Sequence, residues 1–395
     1  MRNRILNFLR VHPLILNIFW KLAHVFFLVV GMFVPIKEKT ILITSFAGRK
    51  YDDSPKALYE EILKRPEFKD WEIIWAFVEP DKFNISKGKK ITIDTWAFFM
   101  ALLYSRVWIS NSGMDRNIGI NRKGTIKVET WHGTPMKKIG IDQNSGTLGN
   151  YKPSKKLDRT TIRCAQSEYD RDIFARVFNA DKNCFLLCDL PRNDELTKYT
   201  CNDILNIKMK LGIPVNKRVL LYMPTYREYL INEKKETYLA PPIDLKKWER
   251  ELGKDYILLV RVHYAVSTAL NILKEKAFVQ DVSDYPYIND LYAVADILIS
   301  DYSSAFFDYS IFDRPMLCFA YDEKEYAQKR GLYSNLKDIL PCPVEQDEDS
   351  IIKDIQKMNY SNQHKKTMAF HKKFAPYAGH ASEKIIDSII KKVIL

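Results

Sequence analysis

Ile299–Asp308 reads ISDYSSAFFD, and this stretch decides the fold. The apolar run Ala295–Ile299 stops at Ser300, and Asp301, Tyr302, Ser303 and Ser304 follow before a new apolar-periodic segment opens. That order spells a strand, a turn and a helix start. Ser303 or Ser304 is placed to cap the helix, whose first N–H groups have no internal partners and point past the strand's carboxyl end. A phosphate suits that position. In open parallel sheets the ligand crevice lies outside the same strand ends.

Working outward, short β-branched or aromatic runs alternate with helical-period segments from Thr40 onward. Strands are expected at Thr40–Thr44, Trp71–Val78, Val107–Ser110, Thr125–Thr130, Ile162–Gln166 and Phe185–Leu187, with helices at Pro55–Lys64, Trp96–Tyr104 and Asp170–Phe178. A polar passage, Asn193–Asn206, interrupts the rhythm. It restarts with Arg218–Met223, Tyr256–Val260, Ala277–Gln280, Asp296–Ser300 and Met316–Phe319. This is the βαβ pattern of a parallel sheet, twice. Two α/β units are expected, residues 37–200 and 201–395, with the apolar, helically spaced tail Ser382–Leu395 covering an apolar surface.

With 395 residues and 46% hydrophobic content, the chain is long enough for two cores and far from a disordered composition. Its net charge of +12 calls for an anionic partner. The basic residues are scattered and not interleaved with aromatics as in a nucleic-acid module, so no nucleic acid is expected. Six cysteines without a C-x-x-C pair exclude a zinc or disulfide framework and fit a reducing cytoplasm.

Residues 1–36 differ from the rest. LILNIFWKLAHVFFLVVGMFV, Leu14–Val34, lacks a cleavage site, and its charge-free part after Lys21 is shorter than a spanning helix requires. Asn3, Arg10, Asn17 and His24 recur every seven residues and Lys21 joins them, so a helix here has one polar side on an otherwise apolar surface. The pattern predicts an amphipathic helix lying in an anionic membrane surface.

Four strand ends carry chemistry. His132, in TWHGTPMKKIG, leaves the strand that ends near Glu129; an imidazole there suits a general base. Arg261 and His263 alternate on one extended segment and face the same way, fit for phosphate oxygens or a leaving group. Thr225 and Arg227 end YMPTYR, and Arg192 stands in LPRND. No Walker loop or dinucleotide fingerprint occurs, and the chain holds only 14 glycines, so a phosphate is expected to be held by the Ser303/Ser304 turn and by cations rather than by a glycine cradle. No spaced acidic pair announces a metal, and neither metal nor cofactor is expected.

Five stretches, TWHGTPMKKIG, CDLPRND, YMPTYR, RVH and DILISDYSSAFFDYSIFDRPMLCF, occur in that order, and on them the chain resembles the CDP-glycerol glycerophosphotransferase family of teichoic-acid synthesis. The resemblance implies two Rossmann-like domains of the GT-B type facing an interdomain cleft, with the CDP-donor bound mainly by the second. It implies transfer of glycerol or ribitol phosphate from a CDP-polyol donor to a hydroxyl of a lipid-linked saccharide or polyol-phosphate acceptor, with release of CMP, in a peripheral protein on the cytoplasmic side of the cell membrane. The short N-terminal part looks like primase-sized members. Carried over by position, His132 and His263 are the catalytic candidates, and Arg192, Thr225, Arg227, Arg261, Ser303, Ser304 and Asp308 bind the donor. The family usually has glycine where Asp189 stands. Two other readings are a GT-B glycosyltransferase using a nucleotide sugar and a non-enzymatic basic protein that binds membranes.

Overall fold

Why the chain folds as two parallel sheets is visible in its strands, which are short, β-branched and buried on both faces, as strands covered by helices on each side must be. The structure, a computed structural model, describes residues 13–116, 118–143, 159–225, 227, 241–262 and 278–394. The first sheet contains β1 (Lys37–Thr44), β2 (Glu72–Phe77), β3 (Lys89–Thr92), β4 (Ser105–Ser110), β5 (Ile126–Glu129), β6 (Ile162–Ala165) and β7 (Phe185–Leu187), in the order β3-β2-β1-β4-β5-β6-β7. The second contains β8 (Arg218–Met223), β9 (Tyr256–Val260), β10 (Val279–Asp281), β11 (Ile297–Ser300), β12 (Met316–Phe319) and β13 (Val344–Glu345), in the order β10-β9-β8-β11-β12-β13. All pairings between these strands are parallel among the described residues.

Both sheets reverse their winding once, between β1 and β4 and between β8 and β11. At these points Thr44 lies opposite Ser110, and Met223 opposite Ser300. Crevices outside such switch points are where doubly wound sheets bind ligands. The loops that leave them carry Asn111, Thr225, Ser303 and Ser304.

Two edge strands were not expected. Lys89–Thr92, KKIT, is short and half charged, and Val344–Glu345 is two residues long, so neither shows a hydrophobic period of its own. The final helix, Ala381–Ile394, also departs from chain order. It buries Ala381, Ile385, Ile386 and Ile389 beside Leu58, Tyr59 and Ile62 of the first unit. Its start is held by Asp194, whose two carboxylate oxygens accept from the Ala381 and Ser382 N–H groups at 2.7 Å each, a favourable charge at a helix N-terminus. The last helix of the sequence therefore straps the first unit rather than finishing the second.

The helix Pro13–Phe33 packs on the first unit through Trp20, Ala23, Phe27 and Val30, against Phe98, Phe99, Ile118 and Ile120. His24 belongs to this inner side: its Nδ1 is 2.9 Å from the Ile118 carbonyl. The polar stripe expected from periodicity thus turns at His24 toward the protein, while Lys21 is exposed and the outward side is apolar. Asn3 and Arg10 lie outside the described residues.

Candidate active site

Beyond β5 the chain must reverse sharply, and it does so through Trp131 at φ 56° and Gly133 at φ 144°. Left-handed tryptophan is strained by its Cβ, a cost tolerated mainly where surrounding contacts fix a functional residue. Between the two sits His132, stacked on Trp131 with ring centroids 4.3 Å apart and near Phe46 at 5.8 Å. Its Nδ1 is 2.9 Å from the Asn111 carbonyl. A carbonyl only accepts, so Nδ1 carries the hydrogen and Nε2 is left as the basic nitrogen. Burial lowers the His132 pKa, helped by the charges of Arg192 and Lys137 and opposed by the Asn111 bond and Asp53. The ring is therefore neutral, as a base must be.

Asn111 was not singled out in the sequence, yet it organises this corner. Fully buried after β4, it accepts the Phe46 N–H on Oδ1 at 2.8 Å while its own carbonyl holds His132. The signal was the Asn-Ser-Gly that ends an apolar strand, a common turn.

The second unit meets this loop at the stretch with which the sequence reading began. Asp301 ties two strand ends together, its Oδ1 accepting from Tyr302 N at 2.7 Å and Thr225 N at 2.8 Å. The helix that follows, Ala305–Tyr309, is short, and the Ser303 hydroxyl already accepts the Ala305 N–H at 3.1 Å. That bond takes up one N–H of the turn, so an anion here depends more on hydroxyls and cations. Ser303 and Ser304 are half-buried, not covered. Gly133 presses on Ser304: a Cβ at position 133 would overlap Ser304 Oγ and lie 2.7 Å from its Cβ. The loop beyond β5 thus touches the switch-point turn of the second sheet, with His132 adjacent to the contact.

Arg261 leaves β9 at the same seam. Its Nη1 donates to the carbonyls of Val282 at 3.1 Å and Tyr285 at 2.6 Å. Among the described residues no carboxylate forms an ion pair with it. Burial lowers its pKa, and the charge of Asp52, from the first unit, is among those opposing that shift. An arginine half-buried without an ion-pair partner is suited to an incoming anion.

Three expected donor ligands are engaged otherwise. Arg192 Nη1 is 2.6 Å from Asp53 Oδ2 and donates to the His132 carbonyl at 3.1 Å, while Nη2 is 2.6 Å from Asp308 Oδ2 in the second unit. Arg192 and Asp308 therefore pair with each other across the seam. Burial raises the Asp308 pKa against the pull of Arg192; at Asp53 burial also pushes upward, but Arg192 and the Ser54 N–H outweigh it and the pKa is lowered. Arg227 is only 2% exposed, ion-paired to Asp301 at 2.9 Å and Asp322 at 2.7 Å, with Tyr302, Tyr321 and Tyr326 around it. It braces the Asp301 turn from beneath, as a buried charge must be paired. Thr225 stands at the end of β8 with its N–H on Asp301. His263 lies outside the described residues.

Asp189 explains its own departure from glycine. It sits at φ 67°, where glycine is easiest, and its Oδ1 accepts from Leu190 N, from Gln166 Nε2 at 2.7 Å and from Asn193 Nδ2 at 3.1 Å. Asn193 Nδ2 also reaches Asp308 Oδ1 at 3.0 Å, so this aspartate joins the same seam.

Two Rossmann-like units whose strand-end loops meet at a neutral imidazole on one side, and at serine hydroxyls and an arginine on the other, define a group-transfer enzyme. The family model for CDP-Glycerol:Poly(glycerophosphate) glycerophosphotransferase matches residues 26–391, and the chain belongs to that family. It is 32% identical to the teichoic acid glycerol-phosphate transferase of Staphylococcus aureus (strain NCTC 8325 / PS 47), over 90% of this chain and 93% of that protein. It is 30% identical to a teichoic acid poly(glycerol phosphate) polymerase of Bacillus spizizenii, over 94% and 96% respectively. A Staphylococcus epidermidis polymerase is 33% identical over 91% of this chain, which spans only 51% of that longer relative. The solved wall teichoic acid polymerase TagF superposes with a TM-score of 0.84 at 29% identity, over all of this chain and 98% of that one. A variant of it with a histidine replaced by asparagine, soaked with CDPG, gives 0.83.

Proposed function

We propose that the protein transfers glycerol phosphate from CDP-glycerol to a hydroxyl of a lipid-linked acceptor at the cytoplasmic face of the membrane. His132 Nε2 takes the proton of the acceptor hydroxyl. The oxygen attacks the β-phosphorus, the bond from that phosphorus to the bridging oxygen breaks, and CMP leaves. Arg261, Ser303 and Ser304 hold the pyrophosphate in a cleft of the GT-B type and, in place of a metal ion, neutralise the charge that grows on the leaving group; positioning and charge neutralisation supply most of the catalysis in phosphoryl transfer. The observation that carries this reading is the contact of Gly133 with Ser304, which sets the base beside the donor-side turn. Glycerol is favoured because the three relatives at 32–33% identity are named for it, whereas those named for ribitol stand at 25–27%. With CDP-glycerol labelled at the β-phosphate, label is expected in the acceptor product together with free CMP. A nucleotide-sugar transferase would leave that phosphorus on the nucleotide.

The apolar outer side of helix Pro13–Phe33 supports membrane docking. Ile18, Leu22, Val25, Phe26, Met32 and Phe33 are each 51–80% exposed, and Trp96 joins them beside Phe26 at 6.3 Å between ring centroids. Among the described residues no helix is long and apolar enough to cross a membrane. Each such side chain gains about 1.5–3 kcal/mol on entering an apolar phase, so several suffice to hold a protein at an interface. Removing the whole helix would also strip Phe27 and Trp20 from the core, so substitution is the cleaner test. Leu22→Glu with Phe26→Glu is expected to shift the protein from sedimented vesicles to the supernatant with an unchanged melting temperature; continued vesicle binding would remove the role from this helix.

A further inference from the structure

Beneath the His132 loop runs a row of buried polar side chains whose hydrogen count does not close. Thr134, Gln166, Asp170 and Asp189 are each at most 2% exposed. Gln166 Nε2 donates to Asp189 Oδ1 at 2.7 Å, which turns Gln166 Oε1 toward Thr134. The Thr134 hydroxyl is 2.7 Å from that Oε1 and 3.0 Å from Asp170 Oδ2. A hydroxyl has one proton, and both neighbours are acceptors if Asp170 is ionised. Reversing the Gln166 amide only moves the conflict to Asp189, where two oxygens would then face each other. Either way the row needs one proton more than ionised carboxylates supply.

Asp189 is the better seat for negative charge, since its Oδ1 collects N–H groups from Leu190, Gln166 and Asn193. Among the described residues Asp170 receives only one N–H, that of Gln166 at 3.2 Å, and its buried Oδ1 has no partner. We infer that Asp170 carries the extra proton and is a positioning residue: it donates to Thr134, which donates to Gln166, and so fixes the His132 loop against Ser304. The charges facing Asp170 point the same way. Burial raises its pKa to about 8, the carboxylates of Asp189 and of Asp308 across the seam add to this, and the Gln166 N–H and Thr134 oppose it. Tyr169, its neighbour on the helix Glu168–Val177, is itself raised by burial to about 12 and brings no positive charge. Arg192, the cation of the cluster, is taken up by Asp53 and Asp308.

The proton assignment concerns the fold alone, and its effect on turnover rests on the transferase reading, so the test has two arms. The infrared spectrum of the wild-type protein should show the carbonyl stretch of a protonated carboxylic acid at about pH 6, lost by about pH 9.5 and missing at both in Asp170→Asn. Turnover of CDP-glycerol should fall across the same alkaline range in the wild type and not in Asp170→Asn. Thr134→Val should lower kcat about tenfold with little change in KM for CDP-glycerol, and Thr134→Ser, which keeps the hydroxyl, should restore it. A wild-type spectrum without the band overturns the proton assignment even if Asp170→Asn fails to fold. An alkaline fall unchanged in Asp170→Asn, or Thr134→Val as active as Thr134→Ser, overturns the positioning role. A band present with no turnover of any CDP-polyol overturns the transferase reading instead.

Discussion

His132→Ala is expected to lower kcat by about 100-fold or more while leaving the protein folded, because general-base assistance contributes roughly that much and, among the described residues, the side chain makes one hydrogen bond. The alternative, an imidazole that merely fills the loop, predicts near-normal turnover. The pH profile supplies a second check. Burial lowers the His132 pKa, so the neutral, proton-accepting form persists further into acid than an ordinary imidazole allows. The acid limb of kcat/KM should therefore fall below about pH 6.5, not at or above it. Replacing Phe46 with Ala, which opens one side of the ring to water, should move that limb upward.

Arg192→Gln is expected to have the largest effect on stability. The wild-type guanidinium lies between two carboxylates that are each about 5% exposed, and it spans both units while holding the His132 carbonyl. Removing one partner of a buried ion pair leaves an uncompensated charge, which costs about 3–5 kcal/mol. Lysine keeps the charge but cannot serve three acceptors in a planar fork, so Arg192→Lys should fall between the two. The sign of the pH dependence follows from Asp53, whose pKa is lowered despite burial because of Arg192. Such a group contributes stability above the unfolded carboxylate value, and that contribution is lost as pH falls through the folded one. The difference in melting temperature between wild type and Arg192→Gln should therefore hold near neutrality and shrink as the pH falls below about 4.

Most of the sheet was legible because its strands are apolar runs bounded by polar turns, and such a run must be buried wherever it pairs. The strands β1, β4, β8, β9, β11 and β12 appeared at or within a few residues of their expected limits. What the local sequence could not show was which distant surface an element would meet. The helix Ala381–Ile394 shows an apolar face from its spacing alone, yet nothing in that spacing says that the face belongs on the first unit. The same limit applies to the site. His132, Ser303, Ser304 and Arg261 were singled out because strand ends are where such sheets bind ligands. Arg192, Arg227 and Asp308 share that location, but their ion-pair partners stand 95–139 residues away in sequence, or 74 for Arg227 with Asp301, so a locked arginine and an available one look alike in the chain. Asn111 and the Asp170 row escaped for the opposite reason: their work is done by a carbonyl and by a proton count, and neither has a motif.

The central claim is that donor binding and proton abstraction belong to different halves of the molecule. Calorimetric titration of CDP-glycerol into the wild type, His132→Ala and Arg261→Ala tests it most directly. The account predicts that His132→Ala binds the donor within about threefold of the wild type although its turnover falls about 100-fold or more, and that Arg261→Ala binds at least about tenfold more weakly, the loss of charge-assisted bonds to phosphate. Full-strength binding by Arg261→Ala, or a loss of binding by His132→Ala that matches its loss of turnover, would contradict it.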